Sequence, residues 1–186
     1  TVRRRKLPSE QVIWLLIGMG LYRNRSILEL VDRLDLVVPG PNGEKRAVAK
    51  AAITPARDRV GAEPLQELFK TTAEHWALSS AERLSWRGLK VLGIDGTTLR
   101  VPDSAENRHD FGLYAGSAYP LVRVAALMAL RSRLIVNCSF AGCRTSETAL
   151  AYELMPTIPD QSVTVFDRYF HNYTLWDGIS KSGEER

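Results

Sequence analysis

Cysteine is scarce in this sequence, and long apolar runs are missing. Two cysteines, Cys138 and Cys143, occur among 186 residues. They are too few for a disulfide scaffold, and they lack the C-x-x-C spacing of a zinc site. No uncharged run exceeds that of residues 11–22, far short of the roughly 20 apolar residues of a membrane span, and no small-residue cleavage site follows it. We therefore expect no membrane span, no signal peptide and a location in the reducing cytoplasm.

The overall composition is that of a globular protein. Hydrophobic residues make up 45% of the chain and charged residues 25%, which excludes disordered, collagen-like and coiled-coil proteins. A chain of 186 residues allows one main domain and a small second unit, since a domain averages roughly 150 residues.

Basic residues concentrate in the first third of the chain. Residues 1–60 contain 12 lysines and arginines against 6 acidic residues, whereas residues 61–186 contain 13 against 15. A basic front joined to a nearly neutral body is typical of a nucleic-acid-binding protein. A surface that only keeps the protein in solution explains the charge equally well, so charge alone leaves both interpretations open.

The start of the chain predicts two helices around a short turn. Apolar spacing favours a helix over residues 9–22, and Ser26 with Glu29 has the spacing of a capping box that begins a second helix. The pair is like a helix-turn-helix, although a plain helical hairpin fits as well. The candidate DNA-binding residues are a basic cluster before the first helix and two arginines at the bend: Arg3, Arg4, Arg5, Lys6, Arg23 and Arg25.

Helices are expected up to residue 88. Residues 38–43 are rich in proline and glycine and predict a joint. Thr54 with Pro55 is typical of a helix start, and Gly61 of its end. Capping-box spacing at Ser79 predicts another helix start. Three tryptophans of this region are expected in the core: Trp14, Trp76 and Trp86. We predict a helical DNA-binding region over residues 1–88.

The remainder of the chain predicts a mixed α/β region over residues 89–186. Residues 89–94 favour a strand that ends at Asp95, with residues 97–101 as its hairpin partner. The elements expected after it are, in order, a hairpin of strands 121–130 and 134–140, a helix over 145–155 and a strand over 163–166. Asp167 follows that last strand directly.

Asp95 and Asp167 are the candidate catalytic residues. A helix between strands makes the last strand parallel to a partner in the same sheet. If the two strands are neighbours, these aspartates lie across a strand spacing of about 4.8 Å. Carboxylates that close repel each other unless a cation neutralises them, and their oxygens suit Mg²⁺ or Mn²⁺. Two such ions recur in phosphoryl transfer, so the pattern predicts a metal-dependent nuclease-like site.

Ordered motifs run through the whole chain. Residues 93–104 read Gly-Ile-Asp-Gly-Thr-Thr-Leu-Arg-Val-Pro-Asp-Ser. The later motifs are Glu106-Asn107, Phe111-Gly112, Tyr119-Pro120, Arg123 and Val165-Phe166-Asp167-Arg168. This order resembles the bacterial insertion-element transposases with a DDE site, in the group named for insertion element four. The motifs that resemble that group's N-terminal domain are residues 7–8, 12–25, 56–57 and 64–65.

The resemblance implies a ribonuclease H-like core that cuts double-stranded DNA at transposon ends and joins it to a target. It implies that Asp95 and Asp167 are two of three acids of a two-metal site for Mg²⁺ or Mn²⁺. Arg168 would grip a DNA phosphate near the cut, where a guanidinium binds bidentately. The resemblance also implies a homodimer on paired DNA ends.

Two departures from the family pattern stand out. Tyr169 occupies a position where the family has glycine, and a tyrosine is costly there if the backbone needs a positive φ. The family's third acid, in a Tyr-x2-Arg-x3-Glu-x6-Lys helix beyond the second aspartate, has no counterpart, because Glu184 and Glu185 lack that context. We therefore expect a truncated ribonuclease H-like core, in a fragment that is inactive alone.

Two other functions remain open. The chain fits a catalytically inactive DNA-binding remnant that inhibits transposition, for which DNA binding survives without cleavage. It also fits an unrelated metal-dependent hydrolase of small phosphate esters, which would show activity without DNA affinity. The basic first 60 residues argue against the hydrolase.

Overall fold

The computed structural model describes residues 7–40, 42–114, 116–170 and 172–182. The chain divides into two compact units, residues 1–68 and 69–186. The functional division at residue 88 expected from the sequence stays a prediction. In the described part of the chain, no helix combines the length and the apolar character that crossing a bilayer requires.

The first unit is a group of helices with a small hairpin. Its elements are α1 (Ser9–Leu21), α2 (Ile27–Arg33), β1 (Val37–Pro39), β2 (Lys45–Ala47), α3 (Lys50–Val60) and the start of α4 (Glu63–Thr72). The antiparallel pair β1 and β2 forms where the sequence predicted only a joint. Gly40 and Gly43 lie between the two strands, and the Gly43 amide donates to the Gly40 carbonyl. The flanking strands were missed because each has only three residues.

The core of the first unit forms where α1, α2 and α3 meet. Val12 and Leu15 of α1 pack with Leu30 of α2 and with Ile53 of α3, and all four are buried. The Gln11 side chain accepts a hydrogen bond from the Val37 amide at 2.9 Å, which ties α1 to the hairpin. The two predicted helices around a turn are confirmed.

The prediction that α3 begins at Pro55 is wrong. The helix begins at Lys50, and Pro55 lies inside it, where proline removes one backbone donor. Ile53 and Ala56 are both buried in the core, so packing outweighs the local preference for a start at proline. Gly61 ends the helix with φ of 75°, as expected.

Replacing Ser26 with alanine is expected to destabilise the first unit by about 1 kcal/mol, because α2 loses its N-cap. The Glu29 amide donates to Ser26 Oγ at 3.3 Å, and the Ser26 amide donates to Glu29 Oε2 at 2.8 Å. The Ser26 backbone and side-chain hydrogen bonds lower the pKa of Glu29 from its usual 4.5. The stabilisation by the ionised Glu29 carboxylate is therefore present at neutral pH, and it is lost as the pH falls through the pKa of Glu29 in the folded protein.

Urea unfolding of the wild type and Ser26→Ala measures this effect at neutral pH. Ser26→Asp is the control, because aspartate also caps helices, and we expect it to keep most of the stability. Equal stability of Ser26→Ala and the wild type at neutral pH would show that the box contributes nothing.

The second unit has a four-stranded mixed sheet with helices. Its elements are the end of α4, a π-helical segment (Ala73–Leu78), α5 (Ser79–Arg83), β3 (Lys90–Arg100), α6 (Ala105–Phe111), β4 (Leu121–Ala129), β5 (Leu134–Gly142), α7 (Glu147–Leu154), β6 (Ser162–Phe166) and α8 (Tyr173–Ser182). The strand order is β5-β4-β3-β6, in which β6 is parallel to β3 and the other pairs are antiparallel. The predicted α/β class, the β4–β5 hairpin and the helix before β6 are confirmed.

The prediction of a hairpin at Gly96 is wrong, because β3 is one continuous strand. Residues 92–100 pair one by one with residues 129–121 of β4. A single glycine is too short a loop for a hairpin, which usually needs two residues or more. Asp95 is therefore inside a strand rather than at its end.

The helix α5 begins at Ser79, as predicted, but the expected cap by Ser79 is wrong. The preceding residues are already helical, and the Ser79 hydroxyl donates to the His75 and Trp76 carbonyls instead of capping a helix. The expectation of buried tryptophans fails as well: Trp14 and Trp76 are 59% exposed and Trp86 is 50% exposed.

The core of the second unit lies on the face of the sheet that α7 covers. Leu92 and Ile94 of β3 and Leu127 of β4 are buried there with Leu150 and Leu154 of α7. Leu175 of α8 and Phe170 join the same cluster. This packing leaves the opposite face of β3 free to carry polar side chains.

Candidate functional site

The parallel pair of β3 and β6 brings the two candidate acids together. Ile94 and Phe166 are the last pair in the register between these strands. Asp95 follows Ile94 within β3, and Asp167 directly follows Phe166, so the two aspartates lie side by side, as expected if β3 and β6 are neighbours. β6 ends there, whereas β3 continues to Arg100.

The two aspartates line one open cavity of about 490 Å³. Side chains alternate between the faces of a strand, so Asp95 points away from the face that buries Ile94. The remaining wall of the cavity is apolar and consists of Gly93, Ile94, Ala126, Met128, Leu130, Val165 and Phe166. Both carboxylates are exposed, so a phosphate or a hydrated cation can reach them from solution.

Backbone amides orient both carboxylates in the same way. The Gly96 amide donates to Asp95 Oδ1 at 2.8 Å, and the Tyr169 amide donates to Asp167 Oδ1 at 2.9 Å. Within the described residues, Oδ2 of each aspartate accepts no hydrogen bond. Each residue therefore presents one fixed oxygen and one free oxygen, which suits cation binding.

On the face of β3 that packs against α7, the Glu147 side chain of α7 covers Gly96. A Cβ at Gly96 would lie 2.7 Å from Glu147 Cδ, so glycine leaves the room that Glu147 needs. Glu147 Oε1 lies 3.9 Å from Arg123 Nε, and Arg123 Nη1 donates to the Thr145 carbonyl at 2.8 Å. Glu147 thus pairs with an arginine, away from the aspartates. The glycine directly after Asp95 was a sequence signal for this contact that we missed.

No third ligand joins the aspartates in the part of the chain that the structure describes. There, no group of three or more histidine, cysteine, aspartate and glutamate residues is placed to hold a metal ion. Cys138 pairs with Ala126, which in turn pairs with Asp95. Burial raises the pKa of the Cys138 thiol, so it stays protonated at neutral pH and is a poor ligand. The donors are therefore two carboxylates.

Tyr169 fits its position without backbone strain. It lies in a 3-10 turn, Arg168–Phe170, and it is not among the residues with positive φ. The cost expected for a non-glycine residue at this position is therefore absent. Phe170 is 1% exposed and anchors the turn in the core, while Arg168 is exposed beside Asp167.

The basic residues of the first unit that are candidates for DNA binding and that the structure describes are at the surface. Arg23 and Arg25 are exposed in the turn between α1 and α2, as the sequence predicted. Arg25 Nη1 is 3.9 Å from a Glu29 carboxylate oxygen, which partly neutralises it. The predicted cluster of Arg3, Arg4, Arg5 and Lys6 falls outside the described residues.

Comparisons with known proteins point to one family. The family described as insertion element 4 transposase N-terminal matches residues 1–70. The chain is 39% identical over 191 residues to InsZ of Escherichia coli (strain K12) and 34% identical over 190 residues to "Transposase InsG for insertion sequence element IS4" of the same strain. No solved structure matches the chain.

The alignments cover 100% of this chain, 62% of InsZ and 42% of InsG. The chain thus spans about half the length of these curated relatives. Both relatives align with the helical first unit and with the sheet that carries Asp95 and Asp167. On this combined match, the chain is similar along its whole length to the transposases of the insertion element 4 family.

Proposed function

We propose that this chain carries two of the three acids of a DDE-type site for metal-dependent DNA cleavage and strand transfer. The observation that carries the proposal is the position of Asp95 and Asp167, side by side at the β3–β6 pair and open to one cavity. The mixed strand order β5-β4-β3-β6 supports the ribonuclease H-like core that we propose around them.

The donor set fits Mg²⁺ or Mn²⁺, which favour carboxylate oxygens. Asp95 and Asp167 would hold the metal, and a bound pair of ions would stabilise charge on the attacking and leaving oxygens of a phosphoryl transfer. Arg168 follows Asp167 and is exposed, so it can bind the phosphate next to the scissile one. We propose that the third acid lies outside residues 1–186.

We propose double-stranded DNA as the partner of the first unit. Its basic residues, with Arg23 and Arg25 exposed at the bend between two helices, support this role because phosphate neutralisation drives such binding. A homodimer on paired DNA ends and a cytoplasmic location complete the proposal. The free cysteines Cys138 and Cys143 are compatible with a reducing compartment.

A DNA-binding remnant or inhibitor is the second candidate. The observation that favours it is the missing third ligand among the described residues. Such a protein would bind DNA without using the two aspartates.

Coupling between metal and DNA binding distinguishes these functions. At constant ionic strength, Mn²⁺ is expected to raise the affinity of the wild-type chain for DNA several-fold, because an ion held by Asp95 and Asp167 would offset the repulsion between their carboxylates and a DNA phosphate. The increase is expected to vanish in Asp95→Asn and Asp167→Asn. Fluorescence anisotropy of a labelled DNA duplex measures it.

Each alternative gives a different result in this assay. DNA affinity that is the same with and without Mn²⁺ would support the binding-only remnant. No DNA affinity at all, with hydrolysis of a small phosphate ester, would support the unrelated hydrolase.

A further inference from the structure

The C-terminal ends of three strands point toward the same end of the sheet. An arginine is the last residue of one of these strands and follows shortly after the other two. β4 is antiparallel to both β3 and β5, and β6 is parallel to β3. The strands β3, β5 and β6 therefore run in the same direction. Arg100 is the last residue of β3, Arg144 comes two residues after β5, and Arg168 comes two residues after β6.

These three arginines are exposed and have no acidic partner among the described residues. The acids closest in sequence to Arg100 and Arg144 are already paired. Asp103 Oδ2 accepts a hydrogen bond from Arg108 Nη2 at 2.8 Å, and Glu147 lies beside Arg123. The positive charge at this end of the sheet is therefore not neutralised.

An aromatic ring supports Arg100. Its guanidinium lies 6.0 Å from the centre of the ring of Tyr119, which precedes β4. Such a cation–π contact holds the guanidinium in place while leaving its N–H groups able to donate. The β3 residues 97–100 extend beyond the end of β6 and are all exposed, so a ligand can approach this end of the strand.

We propose that Arg100 and Arg144 bind phosphates of a DNA duplex at the end of the sheet where β3 and β5 terminate. The inference rests on the proposed function and adds Arg100 and Arg144 to Arg168 as residues that bind DNA phosphates. Arg100 is five residues beyond Asp95, or roughly 17 Å at about 3.3 Å per residue. Side chains alternate along a strand, so Arg100 shares the face of Ile94 and Gly96, opposite that of Asp95. The proposed surface is thus separate from the pair of aspartates.

Salt dependence of DNA binding tests this surface. Each phosphate contact contributes about 0.9 to the slope of log K against log salt for duplex DNA. The double variant Arg100→Gln with Arg144→Gln is expected to reduce the magnitude of the slope by about 2. The measurement is anisotropy of a fluorescent DNA duplex of unrelated sequence over a range of KCl concentrations.

Two further variants make the result specific. Arg83→Gln with Arg131→Gln removes the same charge at the other end of the sheet, where Ser80 of α5 bonds to Ser132 of the β4–β5 turn, and is expected to keep the wild-type slope. Arg100→Lys with Arg144→Lys keeps the positive charge, so this variant is also expected to show the wild-type slope. An equal loss in both glutamine variants, or no loss in either, overturns the proposal.

The outcome is separable from that of the proposed function. If Asp95→Asn abolishes the Mn²⁺ effect while the Arg100 and Arg144 variant keeps the wild-type slope, this inference fails and the metal site stands. If the slope falls while Asp95→Asn leaves the Mn²⁺ effect intact, the DNA surface stands and the metal site fails. A wild-type chain that binds an acidic protein but no DNA overturns the inference.

Discussion

Replacing Phe170 with alanine is expected to lower the free energy of unfolding of the second unit by about 3–5 kcal/mol, the usual cost of emptying a buried phenylalanine site. The side chain is 1% exposed. Its ring centre lies 6.0 Å from that of Phe166 and 6.1 Å from that of Tyr169. The loss comprises buried apolar surface, aromatic contacts and the cavity left behind.

The same substitution is expected to disturb the site. The Phe170 amide donates to the Asp167 carbonyl at 3.2 Å, and the Tyr169 amide holds the Asp167 carboxylate. Because Phe170 anchors this turn in the core, its removal frees Asp167 to move. We therefore expect Phe170→Ala to weaken Mn²⁺ binding as well as stability.

Chemical denaturation of the wild type and the variant measures the stability change. Tyr169→Ala is the matched control: this ring is 64% exposed, so its loss is expected to change stability by only about 0.5 kcal/mol. Similar losses in the two variants would contradict the role of Phe170 as the anchor of the turn.

Asp95→Asn and Asp167→Asn are each expected to raise the dissociation constant for Mn²⁺ at least tenfold. An asparagine keeps the size of the side chain but removes the negative charge and one strong oxygen ligand, and tenfold corresponds to about 1.4 kcal/mol. Both side chains are exposed, so the variants are expected to fold. Isothermal titration of the chain with Mn²⁺ measures the change.

Asp160→Asn is the control for this experiment. Asp160 is an exposed carboxylate just before β6, whereas Asp167 is just after it. The substitution removes the same charge from the same unit at the other end of one strand. Equal weakening in all three variants would indicate diffuse electrostatic attraction rather than a site.

The pairing of the two acids could be predicted because it follows from topology. A helix between strands imposes a parallel crossover, and each acid follows a short β-branched or apolar run. The sequence therefore indicated that β6 is parallel to a partner strand, and that Asp95 and Asp167 lie near each other if that partner is β3. It did not show that Asp95 is inside a longer strand, because the pairing with β4 that extends β3 is a long-range contact.

Packing explains the other failures of sequence reasoning. Pro55 is tolerated inside α3 because its neighbours Ile53 and Ala56 are buried. Trp14 is exposed because Val12 and Leu15 form the buried face of α1. Local propensity carries no information about which face a neighbouring element covers.

The Glu147–Arg123 pair shows how a tertiary contact stays hidden in sequence. In the sequence, Glu147 was visible only as a residue of the predicted helix, and Arg123 as one of the family motifs within a predicted strand. Their proximity depends on α7 crossing the sheet next to β4 and on the absence of a Cβ at Gly96. The common location of Arg100, Arg144 and Arg168 was hidden for the same reason, since it depends on the strand order.

The most direct test of the proposed metal site is the location of bound manganese in crystals of the chain soaked in MnCl2. Anomalous scattering identifies the ion without reference to activity. The proposed function predicts an anomalous peak within coordination distance, about 2.2 Å, of carboxylate oxygens of both Asp95 and Asp167. Manganese bound only elsewhere, with both carboxylates free of metal at saturating concentration, would contradict it.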